Sequence, residues 1–91
     1  MKSIISNEKE CWFCGSTYDT HKHHIYFGAN RKISEKNGFW LYLCANHHNM
    51  SPESVHHNRE MDLTLKMFCQ ETFEKTHTRD EFRELIGKSY L

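Results

Sequence analysis

Two pairs of residues in this chain of 91 carry the spacing of zinc ligands, Cys11-Trp-Phe-Cys14 and Cys44-Ala-Asn-His47. A tight turn over such a spacing presents two side chains to one tetrahedral ion, so the two pairs together predict one Cys3His site. Three thiolates and an imidazole suit Zn²⁺, and a closed set of four ligands predicts a structural ion whose binding adds to folding stability. Four cysteines could instead form two disulfides in a secreted domain. The opening Met-Lys-Ser-Ile-Ile-Ser-Asn is too polar for a secretory leader, however, and closely paired cysteines in a cytosolic chain read as a metal site. Cys69 falls on the apolar face of a helical pattern and reads as core.

Histidines crowd around these pairs. His21, His23, His24, His48, His56 and His57 join the zinc-type residues within the first 57 positions, whereas the rest of the chain holds only Cys69 and His77. If the second pair opens a short helix, fixing His47 to zinc turns His48 about 100° round the axis, toward a strand carrying His23 and His24. Adjacent strand residues face opposite ways, so one of these two can ligate a second metal while the other acts as a base. His56 or His57 is a further candidate for that metal, although Pro52 interrupts a simple i, i+4 relation to His48. His21 and His77 are read as ordinary surface histidines.

The elements that must position these groups follow from patterning. One strand is expected between Tyr18 and Phe27, running into a loop at Gly28-Ala29-Asn30, and a second over Phe39–Leu43, whose five aromatic or aliphatic residues are too few for a two-turn helix. Between them a long loop is expected. Met61, Leu65, Phe68, Thr72 and Phe73 recur at helical steps behind Asn58, a good N-cap, and predict a helix over about 59–76. Thr78-Arg-Asp-Glu81 has the capping-box form and opens a second helix ending at Gly87, with Lys88–Leu91 packing back on the body. The fold class is α+β in a single domain over 1–91, a zinc-stapled core over about 10–57 followed by a helical pair over about 58–91.

Composition bounds the rest. Twelve Lys+Arg balance twelve Asp+Glu, pI is near 7.1 and mean hydropathy is −0.81, which argues against nucleic-acid binding by bulk charge and predicts a thin core needing help from a metal or disulfides. The balance hides an asymmetry: residues 1–59 carry seven basic and five acidic side chains, residues 60–91 five and seven. Arg31, Lys32 and Lys36 fall in the expected loop, where they could contact phosphate groups, although a charge run is usually a solvated face. No stretch approaches the roughly 18 apolar residues of a membrane span, so no membrane partner and a cytoplasmic location are expected.

The order Cys-x-x-Cys, then His23-His24-Ile25, then an apolar strand ending Leu43-Cys44, then x-x-His47-His48 resembles the HNH endonucleases, also called ββα-metal or His-Me finger nucleases. The likeness covers about residues 11–57 and is nearest to small phage-encoded members with a zinc-stapled core, whose location would be the host cytoplasm; the Gly28 to Gly38 loop shares it. The resemblance implies a ββα-metal core in which His23 and His48 hold one catalytic divalent metal, His24 is the general base, and Cys11, Cys14, Cys44 and His47 hold zinc. It implies metal-dependent hydrolysis of DNA phosphodiester bonds, by nicking or full cleavage, leaving 5′-phosphate and 3′-hydroxyl ends. The metal is Mg²⁺, Mn²⁺, Ni²⁺ or Zn²⁺, among which two imidazoles do not choose; Co²⁺ would also fit. One position departs from the family: the place of the middle Asn is taken by Phe39, so either Asn37 or Asn30 takes over its role or the loop is braced otherwise. The alternatives are a non-catalytic zinc ribbon that binds nucleic acid or protein, and a histidine-rich metal sensor. A zinc ribbon does not require a histidine pair converging on His48.

Overall fold

The computed structural model describes residues 1–51 and 54–91. Strand β1 (Thr20–His24) pairs antiparallel with β2 (Trp40–Cys44), in a register that sets Thr20 opposite Cys44 and His24 opposite Trp40. After β2 come a single π-helical turn (Asn46–Met50) and two helices, α2 (Arg59–Phe73) and α3 (Arg79–Ile86). The molecule is thus a small α+β protein built on a two-stranded sheet. No helix among the described residues is long and apolar enough to cross a membrane.

The connection between the strands corrects the expected long loop. It holds a 3-10 turn (Gly28–Asn30) leading into helix α1 (Arg31–Asn37). With Ile33 as its one aliphatic residue, α1 has almost no apolar periodicity; it is anchored by a polar side chain. Ser34 is fully buried, and its hydroxyl donates to the Tyr26 carbonyl (2.6 Å) while accepting from the Tyr26 N–H (3.2 Å). A buried hydroxyl with both roles filled avoids the desolvation cost of an unpaired one and clamps α1 to the chain leaving β1. Gly38 ends the helix in the left-handed region (φ +74°), where a Cβ would run into the Lys2 carbonyl, so the N-terminal segment can cross close over this turn.

The strands are shorter than the sequence suggests at one end and shifted at the other. Ile25-Tyr26-Phe27 leaves the ladder after a last bond from the Ile25 N–H to the Phe39 carbonyl, and β2 runs one residue beyond Leu43. Ile25 and Tyr26 are freed to face the core, where Tyr26 packs on Phe39 and Phe82 at centroid distances of 5.5 and 5.4 Å. Leu41, Leu43, Leu65, Phe73 and Ile86 complete this core.

The helical half follows its sequence signals closely. The Asn58 side chain accepts from the Glu60 and Met61 N–H groups, satisfying donors that the first turn leaves free. Thr78 and Glu81 form the reciprocal capping box, and Gly87 closes α3 with φ +97°. Helix α2 stops at Phe73, three residues early, and the tail returns as expected, with the Tyr90 N–H donating to Gln70 Oε1 (2.7 Å). Cys69 is buried at the core, as its place on the apolar face suggests.

Candidate metal centres and the cleft beside them

The first centre is assembled from two turns. The Gly15 N–H closes on the Cys11 carbonyl (2.8 Å), wrapping residues 11–15 into a knuckle, and the Trp12 N–H bonds the Tyr42 carbonyl (3.0 Å), fixing that knuckle to β2. Cys44 ends β2 and His47 lies in the π-helical turn directly after it. The ligand atoms of Cys11, Cys14, Cys44 and His47 all lie within 4.8 Å of one another. Tetrahedral zinc would separate two sulfurs by about 3.8 Å and a sulfur from a nitrogen by about 3.5 Å, given bonds of about 2.3 and 2.0–2.1 Å. The Cys14–Cys44 sulfur distance is 3.8 Å, and His47 Nδ1 stands 3.4 Å from Cys11 Sγ and 3.2 Å from Cys44 Sγ. These four residues therefore lie close enough to bind a metal such as zinc. Burial resists ionisation of Cys11, yet backbone N–H groups of Cys44, Cys14 and Phe13 outweigh it and bring the thiol down to about 7. At Cys14 the Ser16 N–H favours the thiolate, but desolvation and the neighbouring Cys11 and Cys44 sulfurs prevail and raise it.

A second group comprises His23, His48 and His56, whose ring nitrogens also lie within 4.8 Å of one another. Their convergence comes from the backbone. The Val55 N–H donates to the His47 carbonyl (2.8 Å) and the His56 N–H to the His48 carbonyl (3.3 Å), folding the segment after the π-helical turn back along it. His48 Nε2 and His56 Nε2 are then 3.2 Å apart, close to the roughly 3.3 Å that nitrogens sharing a tetrahedral ion require. The return resolves the pair His56/His57: His56 joins the cluster, whereas His57 Nε2 contacts the Asn49 carbonyl (2.9 Å) outside it. Pro52, expected to break the relation between His48 and the later histidines, lies outside the described residues.

His23 is the deepest member, with 1% of its surface exposed and Nε2 buried without a hydrogen-bond partner. An orphaned buried nitrogen among other imidazoles is costly unless something fills the space between them, and a cation with nitrogen preference fits. Burial first, then His48 and His56, pushes the His23 pKa down to about 3, and burial with His56 and His21 lowers that of His48 to about 4. Both rings are neutral near pH 7, the form that binds metal. In the unfolded chain His23 takes a proton near 6.5, while in the fold it resists until about 3, so the unfolded state carries the extra proton between these values. Stability is therefore expected to fall as pH drops through this window. Thermal unfolding followed from pH 7 to 4 should show a shallower decline in His23→Leu than in the wild type.

Strand alternation sorts the histidines of β1. His21 and His23 both meet His48, with ring centroids 5.3 Å apart in each case. Lys22 and His24 on the other face both reach Glu35 of α1: His24 donates from Nε2 to Oε1 (2.9 Å) and Lys22 Nζ approaches both oxygens at 3.3 Å. These bonds, that of His24 foremost, hold the Glu35 carboxyl below its ordinary pKa. His24 nonetheless opens on the same space as the metal-type cluster, because Lys22, His23, His24, Phe27, Arg31, His48 and His56 line one cleft of about 190 Å³. His24 and Arg31 also line a neighbouring cleft of about 300 Å³ with Lys32, Glu35 and Lys36. No protein-family model, curated protein or solved structure matches the chain.

Four residues depart from the sequence reading. Neither Asn30 nor Asn37 replaces the middle Asn at His24: Asn30 Nδ2 donates to the Ile86 carbonyl (3.1 Å) and Asn37 Nδ2 to that of Ile33 (2.9 Å), both bracing helix ends. Glu35 holds His24 instead, and it was missed because α1 itself left no apolar signature. His21, read as an ordinary surface residue, touches His48 through its ring nitrogen (3.1 Å). That contact had a legible signal, since residues two apart on a strand share a face. His77 stacks on Phe73 at the end of α2 (4.1 Å), away from both centres.

Proposed function

We propose that this protein is a metal-dependent DNA endonuclease of the HNH type, with a ββα-metal core formed by β1, β2 and the segment following Cys44. The observation that carries the reading is the convergence of His23, whose buried Nε2 has no hydrogen-bond partner, with His48 and His56 beside an imidazole that a carboxylate already holds. A zinc ribbon has use for Cys11, Cys14, Cys44 and His47 but none for this second group.

His23, His48 and His56 hold the catalytic divalent ion, and Cys11, Cys14, Cys44 and His47 hold the structural zinc. When bound, the catalytic ion offsets negative charge on the scissile phosphate and the leaving 3′ oxygen. His24 is the general base. Its Nε2–H is committed to Glu35, which leaves the Nδ1 lone pair free to take a proton from the attacking water. The ionised Glu35 also stabilises the imidazolium that results. Arg31, shared by both clefts, and Lys32 in the larger one are placed to hold DNA phosphates. A divalent ion held by three neutral imidazoles would bring its full positive charge to the half of the chain that is already the more basic, whereas zinc on three thiolates is not a net cation; the zero net charge therefore does not oppose DNA binding.

Supercoiled plasmid incubated with the purified protein and Mg²⁺, Mn²⁺, Ni²⁺ or Co²⁺ should be nicked or linearised in at least one metal, and His23→Ala should remove the activity. Absence of cutting in every metal would leave the zinc ribbon as the better reading.

A further inference from the structure

We infer that His21 and Asp19 are positioning residues for the histidine metal centre, fixing the tautomer of His48 that presents its Nε2 lone pair to the ion. The inference rests on the assignment of His23, His48 and His56 as ligands and goes beyond it by giving a task to two residues outside that group.

With His21 neutral, the geometry permits one consistent placement of protons. Asp19 Oδ1 lies 3.1 Å from His21 Nε2, and a carboxylate only accepts, so the proton of that contact is on Nε2. A neutral His21 then carries a lone pair on Nδ1. His21 Nδ1 is 3.1 Å from His48 Nδ1, so His48 Nδ1 is the donor and its own lone pair is on Nε2. Nε2 is the atom that meets His56 in the metal-type cluster, at 3.2 Å. A carboxylate thus sets one imidazole, which sets a second, whose remaining nitrogen faces the site. A metal-bound histidine held through its far N–H has a fixed ring and a more basic ligand nitrogen.

Asp19 is itself held for this task. It adopts a positive φ of +49°, unusual for a residue with a side chain and most tolerable for Asp or Asn, and its carbonyl accepts from the Ala45 N–H (3.1 Å). That bond joins the start of β1 to the chain entering the π-helical turn, so Asp19, His21 and His48 are fixed relative to one another by backbone as well as by side chains.

The test is nickel uptake, measured by calorimetry at constant pH on the full chain carrying one zinc. The wild type should bind one Ni²⁺ and His48→Ala should lose it. His21→Ala should bind about 10–100-fold more weakly, the usual cost of removing the partner of a metal-bound histidine. Asp19→Ala should weaken binding less. His21→Asn should recover most of the affinity, because Asn Oδ1 takes the acceptor position of Nδ1. Unchanged affinity in His21→Ala would overturn the inference and leave the metal centre standing. Loss in both His21 variants as complete as in His48→Ala would make His21 a ligand and overturn it too. A wild type that takes up no second ion would overturn the inference together with the reading on which it rests. Unchanged thermal unfolding in His21→Ala, with weaker nickel binding, separates positioning from a purely structural role.

Discussion

Replacing Cys44 with serine, or stripping zinc with a strong chelator, is expected to unfold the chain. Structural zinc in small domains contributes an apparent binding free energy of about 10–16 kcal/mol near neutral pH, as large as the entire stability of an ordinary domain at about 5–15 kcal/mol. Bound to one ion, Cys11, Cys14, Cys44 and His47 would tie the knuckle at residues 11–15 to the end of β2 and to the π-helical turn, which has no buried residue of its own. Cys44 is the sharpest choice because its sulfur contacts both Cys14 Sγ and His47 Nδ1, and because the residues after it carry His48. Circular dichroism should show loss of cooperative thermal unfolding in Cys44→Ser, and elemental analysis should find one tightly held zinc per wild-type chain before any other metal is added. A zinc-free protein that unfolds at the wild-type temperature would count against a structural ion.

His24→Ala is expected to lower the rate of DNA cleavage by about 10²–10⁴-fold, the usual contribution of a positioned general base, while leaving both metal stoichiometry and thermal unfolding near wild type. The side chain is shielded, with 10% exposed, but its one hydrogen bond is to the surface residue Glu35, so truncation removes no core packing on the scale of Leu41 or Phe82. The combination is diagnostic. A lost metal would move His24 into the ligand group, and an unchanged cleavage rate would remove it from the chemistry. Glu35→Gln should fall between the two, since an amide oxygen still accepts from Nε2–H but brings no charge to stabilise an imidazolium. Plasmid nicking at saturating metal, with nickel uptake measured on the same preparations, separates these outcomes.

How much of this could be read in advance depended on the range over which each signal acts. The zinc-type residues were legible because a two-residue gap between ligands is a local constraint that one turn satisfies. The caps at Asn58 and Thr78 were legible for the same reason, being hydrogen bonds closed within three residues. Helix α1 was not, because it is held by Ser34 and by backbone contacts across the fold rather than by an apolar stripe, and with it Glu35 was hidden.

The histidines divide along the same line. Their types and the alternation of a strand determined that His23 and His24 would face different ways, since neighbouring Cβ atoms point to opposite faces wherever the strand lies. What the strand met on each face was decided only by tertiary structure. His21 and His23 reach His48 because the first metal-type centre brings the π-helical turn beside β1, and His56 rather than His57 joins the cluster because the backbone returns from Val55 and His56 onto His47 and His48. A sequence encodes donors and local geometry directly, but the separation of two nitrogens from different segments is fixed by the packing of everything between them.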